Sequence, residues 1–285
     1  LALCLALNNA GKKAFVFCED LPPEKFSFLS AVSLVKNEFT GHNFDTFVSV
    51  DCADLQRLGI FSKCYAKFKG IKLNVDHHIS NDGYGDYNFV EVCPATCEIM
   101  TELLKVSGFE ITKDVAELLM LGLITDSGNF THLDVTPRTY LTGAFLREKG
   151  ADMNLINYNM YGRQSKARAL LYGIAASKLR FALEDKFAYV VITLEDLVKA
   201  GAEAGVTEGF VDFPLSVDGV EVAASIMENK TGQYKVSLRS KGKVNVSSLA
   251  ATFGGGGHVL ASGCMLFGSL EEVLDKLTYA VYQNL

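Results

Sequence analysis

The chain has 285 residues, 49% of them hydrophobic and 21% charged, with 27 Lys and Arg against 33 Asp and Glu and a net charge of −6. That composition supplies cores for one large or two ordinary domains without a disulfide framework. Its acidic balance excludes a protein that coats long nucleic acid by counterion release, but not one that binds a small phosphorylated substrate. No apolar run approaches the ~20 residues of a membrane span, and the seven cysteines, none in a Cys-x-x-Cys pair, point to a reduced, cytoplasmic chain. Cys93 and Cys97 share a helix face, but two thiols alone do not make a zinc site.

In chain order, residues 1–9 read as a helix and residues 14–18 as a short apolar strand. Residues 47–50 form a second strand running into Asp51, and residues 72–75 a third running into Asp76. Helical patterns cover 95–106, 114–125 and 137–149, the last with Thr136 as N-cap and Pro137 in the first helical position. Apolar strands alternating with helices predict an α/β domain over residues 1–150 around a parallel sheet covered on both faces. Residues 151–180 are helical and polar, and read as a linker helix.

Residues 181–285 change character, to a smaller α+β domain. A strand at 187–192 leads into a helix capped by Thr193. Alternation over 220–227 and 233–239, around Glu228-Asn-Lys-Thr-Gly232, predicts a hairpin. A short helix at 246–253 ends at Gly254, and Ser269 with Glu272 forms a capping box that opens the terminal helix.

Three polar clusters sit where elements end: Asp51, with Asp54 three residues on; Asp76-His77-His78; and Thr125-Asp126-Ser127-Gly128. Ligands of open α/β sheets gather beyond the carboxyl ends of the strands, so Asp51 and the 76–78 trio are expected to converge there, with Asp126 brought in by its helix. Singly, each has a structural explanation: a turn-forming Asp, a solvated His pair, an Asp before a Gly turn. In this order they suit phosphate-ester hydrolysis. That reaction needs an activated water and neutralised phosphoryl oxygens, which two divalent ions about 3.5–4 Å apart provide. Hard carboxylates hold such ions, and imidazole tilts the preference toward Mn²⁺ over Ca²⁺; Asp51 is the candidate bridging ligand. His42 and His132 read as surface or local packing residues.

In the second half, Phe253-Gly-Gly-Gly-Gly-His258 exposes successive backbone N–H groups to which a phosphate or sugar can come close. Arg239, at the end of a hairpin strand, offers a planar fork for a phosphate.

Together these motifs resemble the DHH phosphoesterases. Asp51, Asp76-His77-His78 and Thr125-Asp126-Ser127-Gly128 look like that family's second, third and fourth motifs. Val244-Asn245-Val246 leading into Gly254-Gly-Gly-Gly-His258 looks like the DHH-associated domain. Glu208-Gly-Phe-Val-Asp-Phe-Pro-Leu-Ser216 and Thr136-Pro-Arg-Thr139 look like its nanoRNase and pAp phosphatase branch. The resemblance implies a metal-dependent exonuclease and phosphatase of nanoRNA and 3′-phosphoadenosine 5′-phosphate (pAp). It implies two Mn²⁺ ions (Mg²⁺ as second choice) held by Asp51, His77 and Asp126, with Asp51 bridging. Asp76 would orient His77, and His78 would contact the reacting phosphate. Arg239, Gly255, Gly256, Gly257 and His258 would grip the far end of a substrate lying between the domains. The expected partners are short RNA or a nucleotide and at most a second copy of the chain; no membrane and no long nucleic acid. Alternatives are a linear or cyclic di-AMP phosphodiesterase, a pyrophosphatase or polyphosphatase, and an inactive nucleotide-binding module. The family's first motif, a His and two Asp before the first helix, has no counterpart after Leu1. The chain is therefore expected to be a fragment of a longer active protein and impaired by itself.

Overall fold

The computed structural model describes residues 1–39 and 43–285; His42 lies outside the described residues. It forms two compact units, Leu1–Arg163 and Gln164–Leu285.

In the first unit, α1 (Ala2–Asn9) precedes a two-stranded parallel ribbon of β1 (Val16–Phe17) and β2 (Val35–Lys36). A separate parallel sheet then forms from β3 (Thr46–Val50), β4 (Ile71–Asp76) and β5 (Tyr87–Val90), with α2 (Ser62–Lys67) between β3 and β4. The early strand therefore pairs with β2 rather than with β3–β5. Register sets Val50 beside Val75 and Asp76 beside Val90, so all three strands end at one edge. Helices α3 (Thr96–Val106), α4 (Lys113–Asp126), α5 (Pro137–Glu148) and α6 (Met153–Asn157) follow. Thr112 caps α4 by accepting from the Val115 N–H. That helix is apolar nearly all round, and Val115, Leu119, Leu123 and Ile124 are fully buried with Val75, Ile99, Leu146 and Ile156. A helix buried on every side cannot shift by a turn without losing its core, so Asp126 is delivered from a rigid element.

Residues 151–180 are not one helix. α6 runs into a π-helical turn, Tyr158–Gly162, and Ile156 belongs to the first unit's core. The chain breaks at Arg163, and α7 (Lys166–Ser177), capped by Ser165, buries Leu171 and Ala175 in the second unit.

The second unit continues with β6 (Arg180–Ala182), β7 (Phe187–Ile192), α8 (Leu194–Ala200), α9 (Asp212–Leu215), β8 (Val222–Lys230) and β9 (Gln233–Ser240). It ends with α10 (Val246–Ala251), β10 (Gly256–His258), β11 (Ala261–Phe267) and α11 (Leu270–Tyr282). One mixed sheet has the order β10-β11-β9-β8-β7-β6, with β7 and β8 parallel and the other pairs antiparallel. Alternation along β8 sends Val222, Ala224 and Ile226 into a core with Val246, Leu249, Val273 and Leu277 of α10 and α11. Met227 points the other way, toward Leu171, Leu197 and Phe210. Helices thus cover both faces, as an apolar central strand requires.

Candidate metal centre and substrate-binding residues

The carboxyl edge of the β3–β5 sheet carries the polar residues. Asp51 follows β3 in the left-handed region, φ 58, which Asp tolerates better than most residues. Its N–H donates to Val75 O at 3.0 Å, and its Oδ1 accepts from Thr96 Oγ1, at the start of α3, at 2.8 Å. A strained backbone fixed from two sides is a common feature of functional sites.

Asp76 is fully buried. It accepts from the His77 N–H (2.9 Å), from Asn81 Nδ2 (2.6 Å) and from His78 Nδ1 (2.8 Å). Burial alone would raise this carboxyl, but the bonds from His78, Asn81 and His77 outweigh it and hold the pKa below its usual value. The imidazole that Asp76 orients is therefore that of His78, not His77 as the resemblance implied. The peptide N–H of His77 bonds the preceding carboxylate, while its ring Nδ1 bonds the Cys93 carbonyl at 2.8 Å. His77 Nε2 then lies 3.4 Å from Asp51 Oδ1, while His78 Nδ1 is 4.0 Å from it. Asp51, His77 and His78 each offer a donor atom within 4.8 Å of the others.

Asp126 closes α4, and the rest of its motif has structural work. Ser127 Oγ donates to Leu123 O (2.6 Å) and accepts from the Phe130 N–H (3.1 Å). Gly128 sits at φ 56, where a Cβ would lie 2.2 Å from His132 Nε2. Asp126 itself accepts no hydrogen bond from any described residue. Desolvation by the surrounding wall raises its pKa, the Asp51 carboxylate raises it further, and His77, His78 and His132 pull it down. It therefore senses the same charges as the Asp51 cluster. Asp51, His77 and His78 form a hard oxygen and nitrogen donor set that fits a divalent cation; Asp126 is not part of that 4.8 Å cluster, though it lies close enough to feel its charges. Sequence reading alone missed Thr96, Asn81, the Cys93 carbonyl and the proximity of His132. Only Thr96 had a signal, a hydroxyl at a helix start.

In the second unit, Arg239 is the penultimate residue of β9, with Nε 3.6 Å from Asp212 Oδ1, and Arg239 Nη1 donates to Leu238 O. Gly256–His258 is an exposed edge strand. A Cβ on Gly255 would lie 2.2 Å from Gly263 O, and one on Gly257 (φ 147) 2.5 Å from Ala261 O, so β11 requires both glycines. Gly256 meets nothing within 4 Å. Asn245 caps α10, and Ser247 Oγ donates to Gly257 O at 2.8 Å, tying this helix to the glycine run.

These features define a two-domain hydrolase of phosphate esters. Residues 1–123 match the DHH family, N-terminal domain, and residues 184–284 match the DHHA1 domain. The chain thus carries a DHH-type N-terminal domain followed by a DHHA1 domain, and DHH phosphoesterases are metal-dependent. It is 29% identical over 294 residues to the bifunctional oligoribonuclease and PAP phosphatase NrnA of Thermus thermophilus, covering 100% of this chain and 85% of the relative. It is 27% identical over 259 residues to the Bacillus subtilis protein of the same name, covering 88% and 79%. The crystal structure of an exopolyphosphatase-related protein from Bacteroides fragilis superposes with a TM-score of 0.90 at 26% identity, covering 99% and 86%. No helix among the described residues is long and apolar enough to cross a membrane.

Proposed function

We propose that this protein hydrolyses short RNA oligonucleotides and pAp, with Mn²⁺ as its metal. The observation that carries the reading is the His77 ring. Its Nδ1 is committed to the Cys93 carbonyl and its Nε2 faces Asp51, the arrangement of an imidazole that ligates through Nε2. Asp51, His77 and Asp126 are the residues that would hold the metal in this proposal. Bound divalent ions supply an activated water and neutralise the phosphoryl oxygens. Asp76, ionised and buried, fixes the His78 ring so that its Nε2 meets the reacting phosphate and can hold a proton for the leaving oxygen. In the second unit Arg239, Gly255, Gly256, Gly257 and His258 take a further phosphate. The names of the relatives, oligoribonuclease and PAP phosphatase, support this substrate class.

The test is turnover by the purified protein with Mn²⁺, assayed in parallel on pAp, RNA of a few nucleotides, linear and cyclic di-AMP, pyrophosphate and polyphosphate. Cleavage of pAp and short RNA is expected. Cleavage of pyrophosphate or polyphosphate alone would replace this reading, and nucleotide binding without any turnover would make the protein a binding module.

A further inference from the structure

Two of the groups that fix the candidate metal centre belong to one short connection. β5 ends at Val90 and α3 begins at Thr96. Between and beside them, the Cys93 carbonyl holds His77 Nδ1 and the Thr96 hydroxyl holds Asp51 Oδ1, each at 2.8 Å. A shift of this connection would therefore move both His77 and Asp51.

We propose that Arg138 is a positioning residue that clamps this connection and so sets the geometry of His77 and Asp51; the inference rests on the metal-centre reading above. Arg138 is the second residue of α5, whose start is fixed by the Thr136 N–H donating to Thr139 Oγ1 at 3.1 Å. Its guanidinium pairs with Glu91 on one side of the connection and with Glu98 on the other, Nε to Oε1 3.2 Å. Glu91 is half exposed, and such a pair alone contributes little. Glu98 is different. It is 1% exposed, its Oε2 has no hydrogen-bond partner, and Arg138 is its only cationic partner among the described residues. A buried carboxylate left without its cation is strongly disfavoured, so the first turn of α3, with Thr96, stays where Arg138 can reach it. Because the guanidinium is engaged by two carboxylates, it is spoken for as a brace rather than as a phosphate ligand.

The tautomer of His77 reports this role without metal or substrate. In spectra of protein with ¹⁵N-labelled histidine, with His77 assigned through His77→Gln, the wild type is expected to carry its proton on Nδ1. Arg138→Ala should give averaged tautomers at His77 and, by calorimetry, Mn²⁺ affinity about 10–100-fold weaker, the usual loss when a ligand's supporting group goes. Arg138→Lys keeps the charge but not the fork and should fall between them; it carries the test if Arg138→Ala does not fold. An unchanged His77 tautomer together with unchanged Mn²⁺ affinity in these variants, whatever happens to the melting temperature, would overturn the proposal. If the wild type shows the Nδ1 proton and the variants lose it, but no phosphate ester is cleaved, the functional reading fails and the role of Arg138 stands.

Discussion

Arg239 and His258 stand in one row of the second unit's sheet with only Ala261 between them. Register pairs His258 with Ala261 and Ala261 with Arg239. All three side chains therefore leave the same face, with the outer two about 10 Å apart across two strand spacings. Ala223 and Ala188 continue the row. The single small side chain of Ala261 between the guanidinium and the imidazole leaves room for the phosphate that the proposal places there. Arg239→Ala should raise KM for phosphorylated substrates about tenfold to a hundredfold, the loss of a charge-assisted contact of about 1.5–3 kcal/mol, with kcat little changed. Steady-state kinetics on pAp decide it: a fall in kcat at constant KM would contradict a binding role.

The glycine run separates packing from ligand approach. Gly255→Ala and Gly257→Ala force a Cβ to within 2.2 and 2.5 Å of backbone oxygens of β11, so both should lower the melting temperature. Gly256→Ala meets nothing within 4 Å and should melt like the wild type. If the run cradles a phosphate, Gly256→Ala should still weaken substrate binding. A Gly256→Ala protein with native melting temperature and native KM would show that the backbone at 256 does not touch the ligand.

Thr96 has an equally separable role. It is buried, and its hydroxyl is the described donor to Asp51 Oδ1. Thr96→Val keeps the shape and leaves the strained Asp51 side chain without that anchor; Mn²⁺ affinity should fall about tenfold. Thr96→Ser should restore most of it. Calorimetric affinities that are the same for Thr96→Val and wild type would remove Thr96 from the site's support.

The strands leading into Asp51 and Asp76 were legible because each is a short stretch with apolar residues at alternate or successive positions that ends at an acid, and α4 because it is long, apolar and capped. β5 was not, since Tyr87–Val90 is exposed throughout and shows no inward alternation. β11 was hidden because its inward positions include Ser262 and Cys264, which do not read as a hydrophobic stripe. The His77 partner was illegible in principle, because the Cys93 carbonyl is a backbone atom that any residue supplies. The Asp51–Thr96 bond spans 45 positions and depends on how α3 docks, which no local pattern encodes. The division within 151–180 turned on Arg163-Gln164-Ser165, a polar stretch whose Ser165 cap marks a new helix.

Asp196 links pH to the stability of the second unit. It is buried in the first turn of α8, where its carboxylate accepts from the Thr193 N–H (2.8 Å) and hydroxyl (2.9 Å) and pairs with Lys178. Burial pushes its pKa up, but Lys178 and the Thr193 bonds prevail and hold it below the ordinary value. A group depressed in the folded state stabilises above its unfolded pKa, about 3.9, and that contribution is lost as pH falls through the folded value. Lys178 is more than a third exposed, so the threonine bonds carry most of the effect. Asp196→Asn should cost about 1–3 kcal/mol at neutral pH, and the gap from wild type should close in acid. Urea unfolding at pH 7 and at pH 3 measures both; a gap that is constant with pH would mean that the charge is not involved.

Metal binding itself can be read from stability. A cation that binds only the native state adds about 2.7 kcal/mol at a hundredfold excess over its dissociation constant, so Mn²⁺ should raise the wild-type melting temperature and EDTA should reverse the rise. Asp51→Asn and His77→Gln should abolish most of the Mn²⁺-dependent rise. Asp126→Asn should do so too, with one difference. Because the Asp51 carboxylate raises the pKa of Asp126, the two acids repel when no cation lies between them. Removing one should leave the metal-free protein as stable as the wild type or more so, a trade of stability against function of the kind expected at ligand sites. His78→Gln should keep the Mn²⁺ response, since His78 Nδ1 is bonded to Asp76 and its proposed role is toward phosphate. Calorimetric melting of the five proteins with and without Mn²⁺ separates the roles. An undiminished Mn²⁺ response in both Asp51→Asn and Asp126→Asn would place the ion elsewhere, and a response lost only in His78→Gln would exchange the roles proposed for the two histidines.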